Sequence, residues 1–546
     1  MKGRVFMEYD ALNYPHSSRR NVIFGNKGMV ATSQPLAAQA GLDILKKGGN
    51  AVDAAIATAV CLTVVEPTSN GIGSDAFAIV SMDNNLYGLN ASGPSPRGIS
   101  IEALIKEGYK EMPQYGWVPV TVPGAPGAWV SLSSRFGRLP LTEVMAPAIE
   151  YAAGGYAVTP TTAKYWQIAL NEYKKQLKED EFQYFFKTFA PHGKAPAPGE
   201  VWSSIDIAKT LQSIAETNGE SFYSGDLMEK IDEFSRKSGG YLRKIDLENF
   251  KPKWVDPVKI NYRGYEVWEI PPNGQGIVAL MALNILKGFD FKKNDPLETY
   301  HKQIEAVKIA LTDGQRYITD PDYMEIDVKD LLSDNYAEEK RKLIGRQALL
   351  PEPGSSSDSD TVYLATADNE GNMVSYIQSN FVHFGSGIVV PQTGISLQNR
   401  GYTFSLNKQH VNCLSPGKRS YHTIIPGFLS KNGTPVGPFG IVGGFMQTQA
   451  HVQVIMNVID LHLNPQASLD APRWQWLRGK HVAIEPAFLQ SHAESLGELG
   501  HEIQRETDYG GITEAFFGRG QIIWRDEENV FAAGTDPRTD GYIAVW

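Results

Sequence analysis

The sequence predicts an α+β chain, and three observations carry that expectation. Before about residue 350, apolar residues recur mainly at helical spacing, as in Ala51, Val52, Ala55, Ile56, Ala59 and Val60. From Thr361 the period shortens to two: Val362, Leu364 and Thr366 alternate with Tyr363, Ala365 and Ala367, which suits a strand covered on both faces. Between the two regimes lies a stretch holding Pro351, Pro353, Gly354 and four serines, the composition of a linker. Two pieces are therefore expected, a helix-rich one over residues 1–360 and a strand-rich one over residues 361–546.

Each element follows from a local signal. Residues 1–27 read as an irregular leader with a first short strand, and residues 29–32 as a strand. Ser33 is expected to cap a helix with Pro35 in its first turn, running to Lys47 and stopping at Gly48 and Gly49. Asn50 caps the next helix, whose alanines allow close packing. The glycines Gly71 and Gly73 invite a nucleotide-binding reading, but Ala76 breaks the required pattern and a strand, not a helix, follows. A glycine-rich turn into a buried strand is the reading taken. The Lys- and Glu-rich stretch from 161 to 250 reads as surface helices. Residues 262–272 read as a hairpin-like strand, residues 273–276 as a turn into an apolar helix, and residues 297–317 as a further helix. Beyond Thr361 come a hairpin turning at residues 369–372, a returning strand over 373–379, and a helix over 451–461.

The totals exclude several classes. The chain has 546 residues, 42% of them hydrophobic and 21% charged, as in ordinary globular proteins. A formal charge of −10 argues against nucleic acid or an anionic membrane as partner. The longest apolar run, from Ala54 to Val65, is shorter than a membrane span. Cys61 and Cys413 stand alone, without a CxxC pattern, and His451 and His462 lack paired ligand spacing, so neither a metal nor a cofactor is expected. His383 reads as a loop histidine and Arg97 as a surface residue. The segment before residue 11 lacks the apolar core of a signal peptide, which points to the cytoplasm.

The junction carries the chemistry. A hydroxyl residue that opens a rigid strand after a polar run can become an N-terminus if the preceding peptide bond is cut. In the precursor, the Thr361 hydroxyl would attack the Asp360 carbonyl, and an N-to-O acyl shift and hydrolysis would free the α-amine. Such an amine has an unperturbed pKa of ~7.7–8.0 and serves as a general base beside its own hydroxyl. Gly443 and Gly444 supply two adjacent backbone N–H groups without side chains, as an oxyanion site requires.

The chain resembles the γ-glutamyltranspeptidases, a family of N-terminal-nucleophile hydrolases. The resemblance runs from about residue 22 to the end and rests on Asp43 to Ala55, Tyr262 to Tyr265, Pro416 to Arg419 and Asp536 to Arg538. It implies a four-layer αββα sandwich in which the two pieces, a large and a small fragment of one precursor, form a single intertwined unit. It also implies that Thr361 is the nucleophile, that Ser379 is the hydroxyl contacting it, and that Gly443 and Gly444 form the oxyanion site. The expected reaction is amide cleavage through an acyl-threonine intermediate, with a γ-glutamyl compound such as glutathione or a related small amide as donor and water or an amine as acceptor.

Departures from the family pattern concentrate where a γ-glutamyl head would bind. Ser92 stands at the family's arginine position, Phe381 at its asparagine position with Asn380 adjacent, Thr403 at its acidic position, and His422 and Thr423 at its serine pair. Arg400 is the candidate anion contact. A carboxylate bound without the family's arginine loses a charge-assisted pair. These changes favour an alternative, an acylase or amidohydrolase for a different acyl group, such as an oxamate-like or β-lactam side-chain amide. A non-catalytic binding relative is the rival from another class. The segment from Phe404 to Pro416 is shorter than the lid of many members and leaves the cleft more open. Ser74 and Asp75 replace glycines in the glycine-rich stretch.

Overall fold

A computed structural model describes residues 20–291, 295–351, 360–506 and 516–546. Most of the expected leader, the serine run and the Asp360 side chain lie outside the described residues.

Fourteen strands build two seven-stranded sheets. In chain order they are β1 (Ile23–Gly25), β2 (Gly28–Thr32), β3 (Asp75–Met82), β4 (Asn85–Ala91), β5 (Lys253–Val255), β6 (Val258–Tyr262), β7 (Tyr265–Glu269), β8 (Asp360–Asp368), β9 (Met373–Phe381), β10 (Gly427–Lys431), β11 (Thr434–Val442), β12 (Arg519–Arg525), β13 (Phe531–Thr535) and β14 (Tyr542–Val545). One sheet has the order β14-β2-β8-β9-β3-β4-β5, the other β1-β13-β12-β11-β10-β7-β6. Each sheet contains strands from both sides of Thr361.

Three apolar layers account for the stacking. Between the sheets, Tyr363, Ala365, Ala367 and Ile377 meet Phe428, Val442, Ile523 and Ala533. Outside the first sheet, Val362, Leu364, Val374 and Tyr376 pack against helix α2 (Ala51–Val65) and its neighbours, including α1 (Pro35–Lys46). Outside the second sheet, Val267, Leu429 and Ile441 pack against α3 (Gly276–Leu286), α4 (Pro296–Tyr317) and α5 (Met446–Ile459). The result is the four-layer αββα sandwich. Both faces of β8 are covered, so its side chains are apolar on consecutive positions from Val362 to Ala365 instead of alternating with polar ones.

The strand carrying Thr361 is anchored at its far end. Asn50 caps α2 in a capping box with Asp53. The first N–H of that helix, from Ala51, donates to Asp368 Oδ2 at 2.9 Å, and Thr366 Oγ1 donates to Ala51 O at 2.7 Å. Two local expectations shift. The cap of α1 is Gln34, whose side chain accepts the Leu36 N–H, because the Ser33 hydroxyl is engaged by Glu66. Helix α5 begins at Met446, five residues before the expected His451, because the turn at Gly443 and Gly444 leads straight into it.

Candidate active site

Thr361 stands at an irregularity in the β8–β9 ladder: Asp360 pairs with Phe381, Val362 with Gln378, and the register shifts between them. A bulge of this kind re-aims a side chain at a strand end. Thr361 is 1% exposed, and its Oγ1 donates to Ser379 Oγ at 3.1 Å. Ser379 Oγ also accepts the Phe381 N–H at 2.8 Å. Phe381 has a φ of 79°, rare for a bulky residue, and that hydrogen bond helps hold it there. Odd-numbered residues of β8 and β9 face the second sheet, so the two hydroxyls lie between the sheets.

The opposing sheet brings the glycines. A Cβ at Gly440 would lie 2.4 Å from the Tyr363 ring, so β11 crosses close over β8 only because glycine is there. Three residues further on, Gly443 and Gly444 adopt φ of 128° and 58°. Among the described residues neither N–H finds an acceptor. Gln275 fixes this turn, its Nε2 donating to Gly444 O at 2.8 Å and to Thr423 O at 2.6 Å.

Arg400 closes the circuit. It is fully buried, its Nη1 donates to Thr423 Oγ1 at 2.8 Å, and its guanidinium lies 4.2 Å over the Phe381 ring. Its Nε and Nη2 have no hydrogen-bond partner among the described residues. Burial lowers the guanidinium to about 9, opposed by the charge of Asp75, and it stays cationic at neutral pH. A continuous series of contacts thus runs from Thr361 through Ser379, Phe381, Arg400, Thr423 and Gln275 to Gly444.

Not every expected residue turns its side chain to this place. Asn380 lies on the opposite face of β9, its Oδ1 accepting from Ser74 Oγ at 2.8 Å, so a direct substrate contact gives way to support of the glycine-rich turn. The Ser92 hydroxyl donates to Asn90 Oδ1 at 2.7 Å and sits beside Asn273. The Thr403 hydroxyl is spent on the carbonyls of Arg400 and Tyr421. His422 is buried, with Nε2 3.0 Å from Asp75 Oδ2 and the Ile424 N–H facing Nδ1 at 3.4 Å. Burial holds it well below the ordinary histidine range. Arg97 is exposed, and His451 is buried against Glu269 at 2.7 Å.

Sequence reasoning missed Asp75, Gln275 and Arg419. Asp75 pairs directly across from Ser379 in the β3–β9 ladder, and Arg419 Nε donates to Ser92 O at 3.0 Å. The one signal for Asp75 was its replacement of a glycine. A cleft of about 570 Å³ lies alongside, lined in part by Tyr402, Thr403, Phe404, Tyr421 and Phe445, the last next to Gly444.

Elsewhere, His301, Glu305 and His501 bring ligand-type atoms within 4.8 Å of one another. Lys308 Nζ lies 2.8 Å from Glu305 Oε1 and 3.5 Å from His501 Nδ1, an ammonium where a metal would need lone pairs.

Comparison with known proteins places this geometry in context. The Gamma-glutamyltranspeptidase family profile matches residues 37–546. A glutathione hydrolase-like YwrD proenzyme of Bacillus subtilis (strain 168) is 36% identical, over 95% of this chain and 98% of that protein. An oxamate amidohydrolase proenzyme of Klebsiella pneumoniae is 32% identical, over 95% of this chain and 98% of that protein. Among solved structures, a cephalosporin acylase from Bacillus halodurans is 61% identical, covers 98% of this chain and 99% of its own, and superposes with a TM-score of 0.94.

Proposed function

This chain belongs to the γ-glutamyltranspeptidase family of amide-cleaving enzymes, and from that premise we propose that it is cut before Thr361 and then hydrolyses amides through an acyl-Thr361 ester. The cut would give fragments 1–360 and 361–546, which stay together because each sheet takes strands from both. Thr361 Oγ attacks the scissile carbonyl, and the freed α-amine accepts its proton. Ser379 Oγ holds the nucleophile's hydroxyl, and the Gly443 and Gly444 N–H groups receive the charge that develops on the carbonyl oxygen. The amine then passes the proton to the departing nitrogen, and water releases the acid.

The acyl group we favour ends in a carboxylate and carries no ammonium. The observation that carries this is Arg400, whose two unpartnered N–H directions form a fork suited to a carboxylate inside a dry site. The buried carboxylate opposite Ser379, Asp75, already accepts from His422 and from the Gly93 N–H, which makes it a poorer partner for an ammonium. The names of two relatives, an oxamate amidohydrolase and a cephalosporin acylase, agree with a non-γ-glutamyl donor. The glutathione hydrolase-like name of another keeps γ-glutamyl compounds as the second reading. Two free thiols suit a reducing compartment and support a cytoplasmic enzyme.

The test is mass spectrometry of the purified protein after mixing with glutaryl, pentanoyl and γ-glutamyl p-nitroanilides. A cut at Thr361 and a glutaryl adduct on it are expected, both absent in Thr361→Ala. An uncut, active protein would overturn the nucleophile assignment, and a γ-glutamyl adduct formed in preference would overturn the donor class.

A further inference from the structure

The cleft of about 570 Å³ beside the site has no part in the steps above, yet its lining touches the site at four points. Phe445 follows Gly444 in the chain. The Tyr421 hydroxyl donates to Gln275 Oε1 at 3.2 Å, and Gln275 in turn holds Gly444 O. The Thr403 hydroxyl donates to Arg400 O at 2.9 Å, and the Tyr402 ring lies 6.3 Å from that of Phe381. Arg400 is not among the described residues that line the cleft, and its open N–H directions are buried. A carbonyl under attack has three directions taken: by the Thr361 hydroxyl, by the donors at Gly443 and Gly444, and by the acyl chain, whose carboxylate runs inward to Arg400. The leaving nitrogen takes the fourth. Its amine must also reach solvent before the acyl group does, and Lys110, Glu111, Asn407 and His410 at the cleft are exposed.

The lining tells which amine fits. The Tyr421 and Phe445 rings stack, 5.8 Å apart at 23°, and Tyr402 and Phe404 share the same cleft. Clefts of about 300–1,000 Å³ with apolar and aromatic walls bury drug-sized molecules. Ionic partners are poor. Lys110 and Glu111 are exposed and offset each other. His410 Nδ1 accepts the Asn412 N–H at 3.0 Å, and burial together with Lys418 holds the ring below the ordinary histidine range, so it is neutral. An amino acid leaves with a carboxylate and an ammonium, and neither finds a buried counter-charge among the described lining residues. An aromatic amine is weakly basic: as the C–N bond breaks, its nitrogen takes the proton held by the Thr361 α-amine and departs uncharged. We propose that this cleft is the leaving-group subsite, that it selects a flat, uncharged aromatic amine, and that Tyr402 and Phe445 are its specificity-determining residues. The proposal rests on the Thr361 reading above.

The experiment uses the processed enzyme with three amides that share the glutaryl group: the 7-amido-4-methylcoumarin, glutarylglycine and glutaramate. Their leaving groups are a flat bicyclic amine, an amino acid and ammonia. Tyr402→Leu and Phe445→Leu keep bulk and remove a ring. Each should lower kcat/KM for the coumarin amide relative to that for glutaramate by about two- to tenfold, the worth of one aromatic contact, and leave the ratio of glutarylglycine to glutaramate in place. Taking ratios removes any disturbance that Phe445→Leu passes to Gly444. A second measurement uses wild type alone: free 7-amino-4-methylcoumarin should inhibit glutaramate turnover at a concentration about tenfold or more below that at which glycine does. Unchanged ratios in both variants, equal losses for the coumarin and glycine amides, or inhibition by glycine at an equal or lower concentration would each overturn the proposal. A glutaryl adduct on Thr361 with these ratios unmoved would sink only the subsite. Absence of an adduct with all three amides would sink the parent reading and this one with it.

Discussion

In the proposed mechanism Ser379 and Arg400 act on different parts of the reaction, and substitutions should separate them. Ser379→Ala removes the acceptor of the Thr361 hydroxyl and strands the buried Phe381 N–H. A lost hydrogen bond of this kind costs about 1–3 kcal/mol, so kcat should fall about ten- to hundredfold, measured on material already processed. Arg400→Lys keeps the charge but not the fork. The KM for a carboxylate-bearing donor should rise about tenfold or more while the pentanoyl donor is little affected, checked by steady-state kinetics with both. The candidate nucleophile Thr361 could be proposed from the sequence because the hydroxyl, the polar run before it and the strand after it are contiguous. Asp75 was not, since its partner His422 is 347 residues away and only the β3–β9 pairing brings it to Ser379.

Elements position these residues through a few carbonyls. Gln275, in the turn before α3, holds Gly444 O and Thr423 O with one amide nitrogen. Gln275→Ala should lower kcat with little change in KM, because it loosens the proposed oxyanion donors and leaves the acyl group's own contacts in place; equal changes in both would contradict this. A second anchoring cluster precedes the junction. Glu305 and Lys308 of α4 pair at 2.8 Å, fully buried. Glu305 Oε2 accepts the Leu349 N–H at 2.8 Å, and His301 Nε2 lies 2.9 Å from Gly345 O. Lys308→Met would leave a buried carboxylate unpaired. It should cost about 3–5 kcal/mol in denaturant unfolding and expose residues 343–351 to proteolysis first. Helical periodicity identified α4 from the sequence, but that the Glu305–Lys308 pair would be buried and would hold the chain at Leu349 could not be read from spacing, because that segment lies 44 residues further on.

Across the whole molecule, the motif near the end of the chain turns out to be a structural lock. Asp536 accepts from Arg473 Nη2 at 2.6 Å and the Gly520 N–H at 2.9 Å, while Arg538 forks onto Glu485, its Nε 2.7 Å from Oε1. These bonds join β12, the loop between β13 and β14, and the segment that carries Arg473 and Glu485. The two arginines hold Asp536 below the ordinary carboxylate range despite burial. Its contribution to stability is therefore present above the unfolded value of about 3.9 and is lost as pH falls through the lower folded value. Acid unfolding followed at about pH 4 and about pH 2.5 should show a drop in wild type that Asp536→Asn, already destabilised, shows less. Local signals in the sequence determined the start of α2 at its Asn50 cap, the hairpin at residues 369–372, the apolar faces and the hydroxyl at the head of β8. These depend on neighbours along the chain, whose spacing sets which face each side chain takes. The tertiary structure alone decided that Asn380 faces away from Thr361, that Ser92 and Thr403 spend their hydroxyls on structural bonds, and that a fully buried Arg400 lies between Phe381 and Thr423 with two N–H directions open. Those facts follow from sheet register and from which polar groups are left without water, and a linear pattern carries neither.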